Sequence, residues 1–311
     1  MTRTESKDHY VLVDDKIIRC NLRGKFKNDF LLKKNKTFIV DLVSVGDCVE
    51  IDLNADGTGT ITKIYQRKNY ISRKAPKIKG SSFRGERLEQ IIASNIDQIF
   101  IVVSVNEPEF NNKLLDRFIA IAESANVEPI IIVNKADLGV EKIQNILSIY
   151  TDIGYNVIVT SVTQNLNIDK IKKNVENKTS IFWGASGVGK SSLINKSYPN
   201  YSLRVNEISK STNKGKHTTV TSQLIQLDSK SFLIDTPGVR EVDPFGIQKK
   251  DLGHYFIEFA EYLRDCRFNT CTHQHEPECG IIKAVEQSKI SRERYESYLH
   301  ILASVEDDIL F

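Results

Sequence analysis

The sequence predicts three domains: a small N-terminal β-barrel, a central α/β domain with a mostly parallel sheet, and a C-terminal α-helical domain that contains a cysteine cluster. Three observations predict this arrangement. Short β-rich runs separated by turn signals occur over residues 9–66, and apolar strands alternate with helical patterns from Gln98 onward. Three cysteines and a histidine then fall within 14 residues near the end of the chain.

The composition is that of a globular protein, with 40% hydrophobic and 27% charged residues among 311. No run approaches the roughly 20 apolar residues of a membrane span, and the polar segment 1–8 lacks the apolar stretch of a secretory signal. Five cysteines, an odd number, indicate a reducing compartment rather than a disulfide framework. We therefore expect a cytoplasmic protein without a membrane partner.

The charge is unevenly distributed along the chain. Residues 1–90 contain 19 Lys and Arg against 12 Asp and Glu, whereas the remainder contains 24 against 28. A basic N-terminal part predicts a polyanionic partner such as nucleic acid. A solvated lysine-rich surface is the alternative.

The first domain, residues 1–70, is predicted to be an OB-like barrel, a fold that often binds RNA. Its loop Arg23–Lys36 carries six basic residues interleaved with Phe26 and Phe30. These aromatic rings could stack on bases, or they could belong to the barrel core. The predicted strands are His9–Val13, Lys16–Cys20, Thr37–Val40, Asp47–Ile51 and Gly59–Ile64.

A basic linker, assigned to residues 71–92, is predicted to follow the barrel. Residues 67–90 are rich in Gly, Ser and Pro, show no hydrophobic period and contain eight Lys or Arg. This pattern predicts a loop that crosses to the next domain.

The central domain, residues 93–242, is predicted to be an α/β domain because continuous apolar runs alternate with helical patterns. In such sheets, ligands bind beyond the carboxyl ends of the strands. A helix is expected over 111–125. The predicted strands are Gln98–Val103, Pro129–Val133, Asn156–Thr160, Thr179–Trp183 and Phe232–Asp235.

A phosphate-binding P-loop follows the strand Thr179–Trp183 and opens a helix over Lys190–Lys196. Its glycines allow backbone N–H groups to wrap phosphate oxygens, and the helix N-terminus favours negative charge. Lys190 would neutralise the β- and γ-phosphates, and Ser191 would bind Mg²⁺ with Asp235 nearby. The predicted phosphate-binding residues are Gly184, Ala185, Ser186, Gly187, Val188, Gly189, Lys190, Ser191 and Ser192.

A guanine-binding motif, Asn134-Lys135-Ala136-Asp137, ends the strand Pro129–Val133. The Asp137 carboxylate can accept hydrogen bonds from the two guanine donors that adenine lacks, and the Lys135 stem can pack over the base. At the end of the next strand, Thr160, Ser161 and Val162 are predicted to reach the base from the other side. The two motifs together predict GTP as the ligand, yet the guanine motif precedes the P-loop by 50 residues.

Two switch segments are predicted around the γ-phosphate. Asp235-Thr236-Pro237-Gly238 fits D-x-x-G, in which Gly238 senses the γ-phosphate. In the basic segment Tyr198–Val220, a threonine would complete the Mg²⁺ shell. Thr219 is the first choice and Thr218 the second. Val239 stands where many GTPases have a water-orienting glutamine, so His217 is the candidate catalytic residue. An ordinary disordered loop with a solvated histidine is the alternative.

Cys266, Cys271, His273 and Cys279 form a Cys₃His set, which predicts one structural zinc ion. His275 is the alternative imidazole. Helices are expected over 247–263 and 281–306, within a domain spanning 243–311. The remaining cysteines, Cys20 and Cys48, lie in predicted strands and are expected in the core.

The combination resembles the circularly permuted GTPase family called ribosome small-subunit-dependent GTPase A. The resemblance rests on the order N-K-x-D, G-x-x-x-x-G-K-S, D-T-P-G, on Gly215-Lys216-His217-Thr218-Thr219 and on the cysteine spacing. It implies a monomeric GTP hydrolase whose slow activity is stimulated by the 30S ribosomal subunit, with 16S rRNA as a partner, late in subunit maturation. It also implies His217 as the catalytic residue, Thr219 as the switch threonine and His273 as the zinc ligand.

Two other functions remain open from the residues. A guanine-nucleotide-gated RNA-binding module with negligible turnover is favoured by the missing glutamine and opposed by His217. The second open function is an ATPase in which the N-K-x-D motif is incidental.

Overall fold

A computed structural model describes residues 1–5, 8–24, 42–74, 89–199, 222–236 and 246–305. The chain forms two compact units. The first contains residues 1–98, 172–182 and 198–245, and the second contains residues 99–171, 183–197 and 246–311. No helix within the described ranges is long and apolar enough to cross a membrane.

The first unit begins with a small barrel-like set of strands around an apolar core. They are β1 (Arg3–Glu5), β2 (Asp8–Val13), β3 (Lys16–Leu22), β4 (Val49–Leu53) and β5 (Gly59–Ile64). Neighbouring strands pair antiparallel except β3 with β5, which is parallel. Buried Met1, Val11, Cys20, Val43 and Ile61 form the core. The predicted strand Thr37–Val40 and most of the loop Arg23–Lys36 lie outside the described residues.

The expectation that both remaining cysteines are buried was half wrong. Cys20 is fully buried in β3, but Cys48 is exposed. The reason is a boundary: β4 begins at Val49, so Cys48 precedes the strand and does not point into the core.

Part of the predicted loop over 67–90 is instead a strand pair. β6 (Tyr70–Lys74) pairs antiparallel with β7 (Glu89–Ser94), with Ile71 opposite Ala93. Because Ile71, Ile91 and Ala93 are buried, a few apolar side chains among many cations suffice to hold the pair. Residues 75–88 lie outside the described part.

Three further strands of the first unit extend the sheet from the barrel. They are β11 (Thr179–Trp183), β12 (Gln223–Gln226) and β13 (Phe232–Asp235). β13 pairs parallel with β11 and antiparallel with β12, and β12 in turn pairs antiparallel with β1. The Leu224 N–H donates to the Thr2 carbonyl at 2.7 Å, so backbone hydrogen bonds join β12 to the barrel.

The second unit contains β8 (Gln98–Ser104), β9 (Glu128–Asn134) and β10 (Asn156–Val159) in the spatial order β10-β9-β8, with β9 and β10 parallel. Every residue of β8 is buried, as its continuous apolar sequence predicts. The helices are α1 (Asn112–Ser124), α2 (Gln144–Ile153), α3 (Ile168–Val175) and α4 (Lys190–Ser197); in α3, residues 168–171 belong to the second unit and 172–175 to the first. Asn111 caps α1 by accepting from the Leu114 N–H at 3.0 Å.

The helix predicted over 247–263 is wrong. The segment instead forms 3₁₀ turns at Leu252–Tyr255, Ile257–Phe259 and Leu263–Asp265. Phe256, Phe259 and Tyr262 follow a three-residue period, linked by hydrogen bonds from N–H of Phe259 to Phe256 O and of Tyr262 to Phe259 O. This period keeps Phe256 and Phe259 on one side, where both pack against Tyr298.

The single helix predicted over 281–306 is two helices, α5 (Gly280–Glu286) and α6 (Arg292–Ser304). Ser288 adopts a left-handed backbone conformation (φ 58°), which an α-helix does not accommodate. Ser291 then caps α6 by accepting from the Arg294 N–H at 3.3 Å.

Candidate nucleotide and metal sites

The P-loop lies between β11 and α4, as predicted, and two of its glycines are required by close contacts. A Cβ on Gly184 would lie 2.1 Å from the Val102 carbonyl oxygen, and one on Gly189 would lie 2.3 Å from Asn134 Nδ2. Both residues also have positive φ, of 148° and 95°. The loop can therefore approach β8 and β9 only because these positions lack side chains.

The charged and hydroxyl groups of the P-loop sit on its helical side. Lys190 begins α4, and its Nζ donates to the carbonyl oxygens of Gly184 at 2.8 Å and Ala185 at 2.7 Å. The ammonium group thus lies on the loop itself, where a lysine of this motif meets phosphate. Ser191 is half-buried and Ser192 exposed in the first turn of α4, and Ser186 and Gly187 are exposed on the loop.

Asn134 joins the guanine motif to the P-loop. It is buried at the end of β9, where its Nδ2 donates to the Val188 carbonyl at 2.9 Å. Its Oδ1 accepts from the Thr160 hydroxyl at 3.2 Å, and its carbonyl accepts from the Val105 N–H at 3.0 Å. One amide therefore fixes the distance between the base-binding and phosphate-binding segments.

Asp137 presents its carboxylate from a short 3₁₀ turn, Ala136–Leu138. The Ser161 hydroxyl donates to Asp137 Oδ1 at 2.5 Å, and this hydrogen bond lowers the pKa of the carboxyl group below its ordinary value. The Ala136 N–H also donates to the Thr160 carbonyl at 3.0 Å. The structure thus brings the two predicted base-binding segments together, with an ionised carboxylate between them. Val162 is half-buried in the turn that follows.

Lys135 is held by a segment that the sequence did not single out. The residue has a left-handed backbone (φ 60°), and its Nζ donates to the Glu107 carbonyl. The next residue, Pro108, has its Cδ atom 3.5 Å from where a Cβ on Gly187 would lie. Since the contacts use a backbone carbonyl and a ring, no residue type could have marked this segment in the sequence.

The remaining predicted nucleotide residues are placed only in part. Asp235 ends β13 in the first unit and is half-buried. His217, Thr218, Thr219 and Gly238 lie outside the described residues, so their assigned roles stay predictions.

The four predicted metal ligands converge in the second unit. The ligand atoms of Cys266, Cys271, His273 and Cys279 all lie within 4.8 Å of one another. His273 Nδ1 is 3.5 Å from Cys266 Sγ and 3.4 Å from Cys279 Sγ, and the latter two sulfur atoms are 3.9 Å apart. A tetrahedral zinc site has S–S and S–N separations of about 3.8 and 3.5 Å, from bond lengths of about 2.3 and 2.0 Å. His275 is exposed and is not part of this group.

Two thiols of this cluster, those of Cys271 and Cys279, are hard to ionise without a cation. Burial raises the pKa of Cys271 to about 12 and also raises that of Cys279. Without a positive charge these two thiols keep their protons at neutral pH, whereas a bound metal ion displaces the protons. The chemistry and the spacing of these donors both fit a closed, structural metal site.

Comparison with known proteins supports the assignment of the nucleotide site to a GTPase. A family model described as RsgA GTPase matches residues 64–245. The chain is 38% identical to the small ribosomal subunit biogenesis GTPase RsgA of Phocaeicola vulgatus and to RsgA 2 of Bacteroides thetaiotaomicron. Each alignment spans 298 residues and covers 94% of this chain and 92% of the relative.

Two solved structures have similar folds over nearly the whole chain. YjeQ from Thermotoga maritima superposes with a TM-score of 0.76 at 31% identity, covering 97% of this chain and 95% of that one. YloQ, described as a circularly permuted GTPase, gives a TM-score of 0.70 at 28% identity, with 97% and 92% covered.

Proposed function

The chain belongs to the RsgA GTPase family, and from that premise we propose that it hydrolyses GTP to GDP and phosphate in late maturation of the small (30S) ribosomal subunit. Membership confirms the resemblance seen in the motifs and the predicted GTP hydrolase activity. It also confirms the fold class: an OB-like barrel, a circularly permuted P-loop GTPase domain and a C-terminal metal-binding domain.

The observation that carries the choice of nucleotide is the Asp137 carboxylate, ionised and oriented by Ser161 beside a P-loop that Asn134 holds in place. A carboxylate oriented in this way pairs with the N1–H and the exocyclic amine of guanine. Adenine offers no such donor pair and would leave the charge unpaired. The arrangement therefore favours GTP and disfavours the ATPase alternative.

The P-loop and switch residues are assigned the phosphates and the metal ion. Lys190 and the loop N–H groups would bind the β- and γ-phosphates, and Ser191, Thr219 and Asp235 would hold the Mg²⁺ that accompanies GTP. That ion would neutralise charge on the phosphates. His217 orients the attacking water, and Gly238 senses the γ-phosphate and relaxes when phosphate leaves.

We assign the metal of the Cys₃His cluster as one zinc ion with a structural role. Its four protein ligands leave no open position for chemistry. Zinc analysis of the purified chain tests the identity, and one ion per chain is the expected result.

The partner we propose is the 30S subunit, contacted through its 16S rRNA by the basic barrel and the segment that follows it. The excess of cations in residues 1–90 supports this choice. We further propose that the protein is a monomer. We place it in the cytoplasm, since the cytoplasm keeps the metal-binding thiols reduced.

Phosphate release measured with and without 30S subunits, with 50S subunits as the control, tests the function. We expect 30S subunits to stimulate turnover and His217→Ala to abolish most of that stimulation while keeping GTP binding. His300→Ala, at an exposed position of α6, is the matched control. Negligible turnover with 30S subunits would favour the nucleotide-gated RNA-binding module, and full stimulation in His217→Ala would remove the role assigned to His217.

A further inference from the structure

The carboxylate of Glu276 binds the backbone on both sides of the metal ligand His273. Its Oε1 accepts from the Thr272 N–H and from the Thr272 hydroxyl, both at 2.6 Å. Its Oε2 accepts from the Gln274 N–H at 3.0 Å and the His275 N–H at 3.2 Å. One side chain therefore satisfies four donors in a loop of four residues.

The ligand at the centre of this loop has an unusual backbone. His273 adopts φ 54°, in the left-handed region, and is buried. A residue with a side chain rarely adopts this conformation unless its surroundings impose it. Without the Glu276 hydrogen bonds the peptide groups beside His273 would lose their partners and the loop could relax to a commoner conformation.

The carbonyl side of the same loop is held by helix α6. The Tyr298 hydroxyl donates to the Thr272 carbonyl and the Tyr295 hydroxyl to the His273 carbonyl, each at 2.7 Å. Glu276 and the two tyrosines thus hold opposite sides of one short segment. Of these three residues, only Glu276 lies in the metal loop, the segment 266–279 that carries the four ligands, and it is four residues from Thr272.

We propose that Glu276 is a positioning residue of the metal centre, which holds His273 in its ligating conformation and so determines how slowly the metal is lost. This inference rests on the zinc site proposed above. A carboxylate is required because four donors converge on two acceptor oxygens. An amide at this position would have one acceptor oxygen and would turn its own N–H₂ group toward other donors.

Zinc release from the full chain in excess chelator tests this role. Groups that orient metal ligands typically contribute about 10- to 100-fold to metal affinity. We expect this loss of affinity to appear as faster dissociation, so that Glu276→Gln releases zinc about 10- to 100-fold faster than the unmodified protein. Glu278→Gln is the matched control, because Glu278 lies in the same loop but is exposed and contacts Arg267 outside the cluster. Its release rate should be unchanged.

Cobalt substitution separates positioning from general loosening. The visible absorption bands of Co²⁺ report the geometry of its ligands, and we expect them to change in Glu276→Gln and not in Glu278→Gln. Thr272→Val, which removes one of the four donors and keeps the carboxylate, should give an intermediate release rate. It also provides the test if Glu276→Gln does not fold.

The outcomes distinguish this inference from the site on which it rests. Equal zinc release and equal cobalt spectra in the Glu276 and Glu278 variants would refute the positioning role and leave the zinc site intact. Absence of stoichiometric metal from the unmodified protein would instead refute the zinc site, and the positioning role with it.

Discussion

Arg294 Nη1 lies 2.5 Å from Asp116 Oδ1, and neither side chain is more than 1% exposed. The same guanidinium donates from Nε to Glu258 Oε1 at 2.7 Å and from Nη2 to Glu258 Oε2 at 3.1 Å. Asp116 also accepts from the Tyr150 hydroxyl at 2.8 Å. One arginine on α6 therefore binds both α1, in the nucleotide-binding part, and the 3₁₀ turns that lead to the metal loop.

Removing Arg294 should destabilise the protein strongly. Arg294→Met keeps much of the side-chain volume but leaves the Asp116 carboxylate buried without its cation. Breaking a buried pair in this way costs about 3–5 kcal/mol. Arg292→Met, at an exposed position of the same helix, should change the free energy of unfolding by no more than about 0.5 kcal/mol. Urea unfolding of both variants gives the comparison, and equal midpoints would contradict the importance of the ion pair.

Gly189→Ala should impair nucleotide binding. The added methyl group would lie 2.3 Å from Asn134 Nδ2, so the P-loop must move away from the strand that carries the guanine motif. A displaced loop misaligns the backbone N–H groups that bind the diphosphate. Since a loss of about 1.4 kcal/mol in binding free energy is tenfold in affinity, we expect GDP affinity to fall at least about tenfold. Isothermal titration with GDP measures the change.

The control for that variant is Gly154→Ala. Gly154 also has a positive φ, of 111°, but a Cβ there would contact nothing within 4 Å. It should lose roughly 1 kcal/mol of stability from backbone strain and keep its GDP affinity. Loss of affinity in both variants would show that a general loss of stability, rather than the contact with Asn134, is responsible.

The strands and the motif loops were predictable because their signals are local. The bounds of Gly59–Ile64, Thr179–Trp183 and Phe232–Asp235 agree with the structure to the residue. Apolar runs bounded by turn residues specify strands, and the metal ligands fall within 14 residues of one another.

The errors have physical causes that local patterns do not reveal. The aromatic spacing of Phe256, Phe259 and Tyr262 fits a three-residue turn as well as an α-helix, and only packing against Tyr298 selects the former. Asp116 and Arg294 are 178 residues apart, so no periodicity connects them. The Glu107 contact with Lys135 uses a backbone carbonyl, which every residue possesses.

Asp137→Asn should exchange the base preference from guanine to xanthine. The amide presents a donor where the carboxylate accepts, so it clashes with the guanine donors and suits the 2-oxo group of xanthine. Loss of two charge-assisted hydrogen bonds predicts a fall in GDP affinity of about 100-fold or more, with a gain for XDP. Asp152→Asn, on the exposed surface of α2, should bind GDP normally. If the substitution shifts the affinity for neither GDP nor XDP, Asp137 does not select the base and the ATPase hypothesis is revived.

The preference for GDP over IDP should be independent of pH between about 5 and 8. IDP lacks the exocyclic amine, and its diphosphate ionises as that of GDP does, so the affinity ratio isolates the contact with Asp137. The hydrogen bond from Ser161 lowers the pKa of Asp137 below the ordinary 3.8. A carboxyl group with a lowered pKa stays ionised at any pH above its ordinary pKa. It loses its charge only as the pH falls through the lowered pKa, which lies below this window. Competition against a fluorescent GDP analogue at four pH values measures the ratio. A ratio that fell more than about twofold from pH 8 to pH 5 would mean that Asp137 takes up a proton in that range, contrary to the hydrogen bond from Ser161.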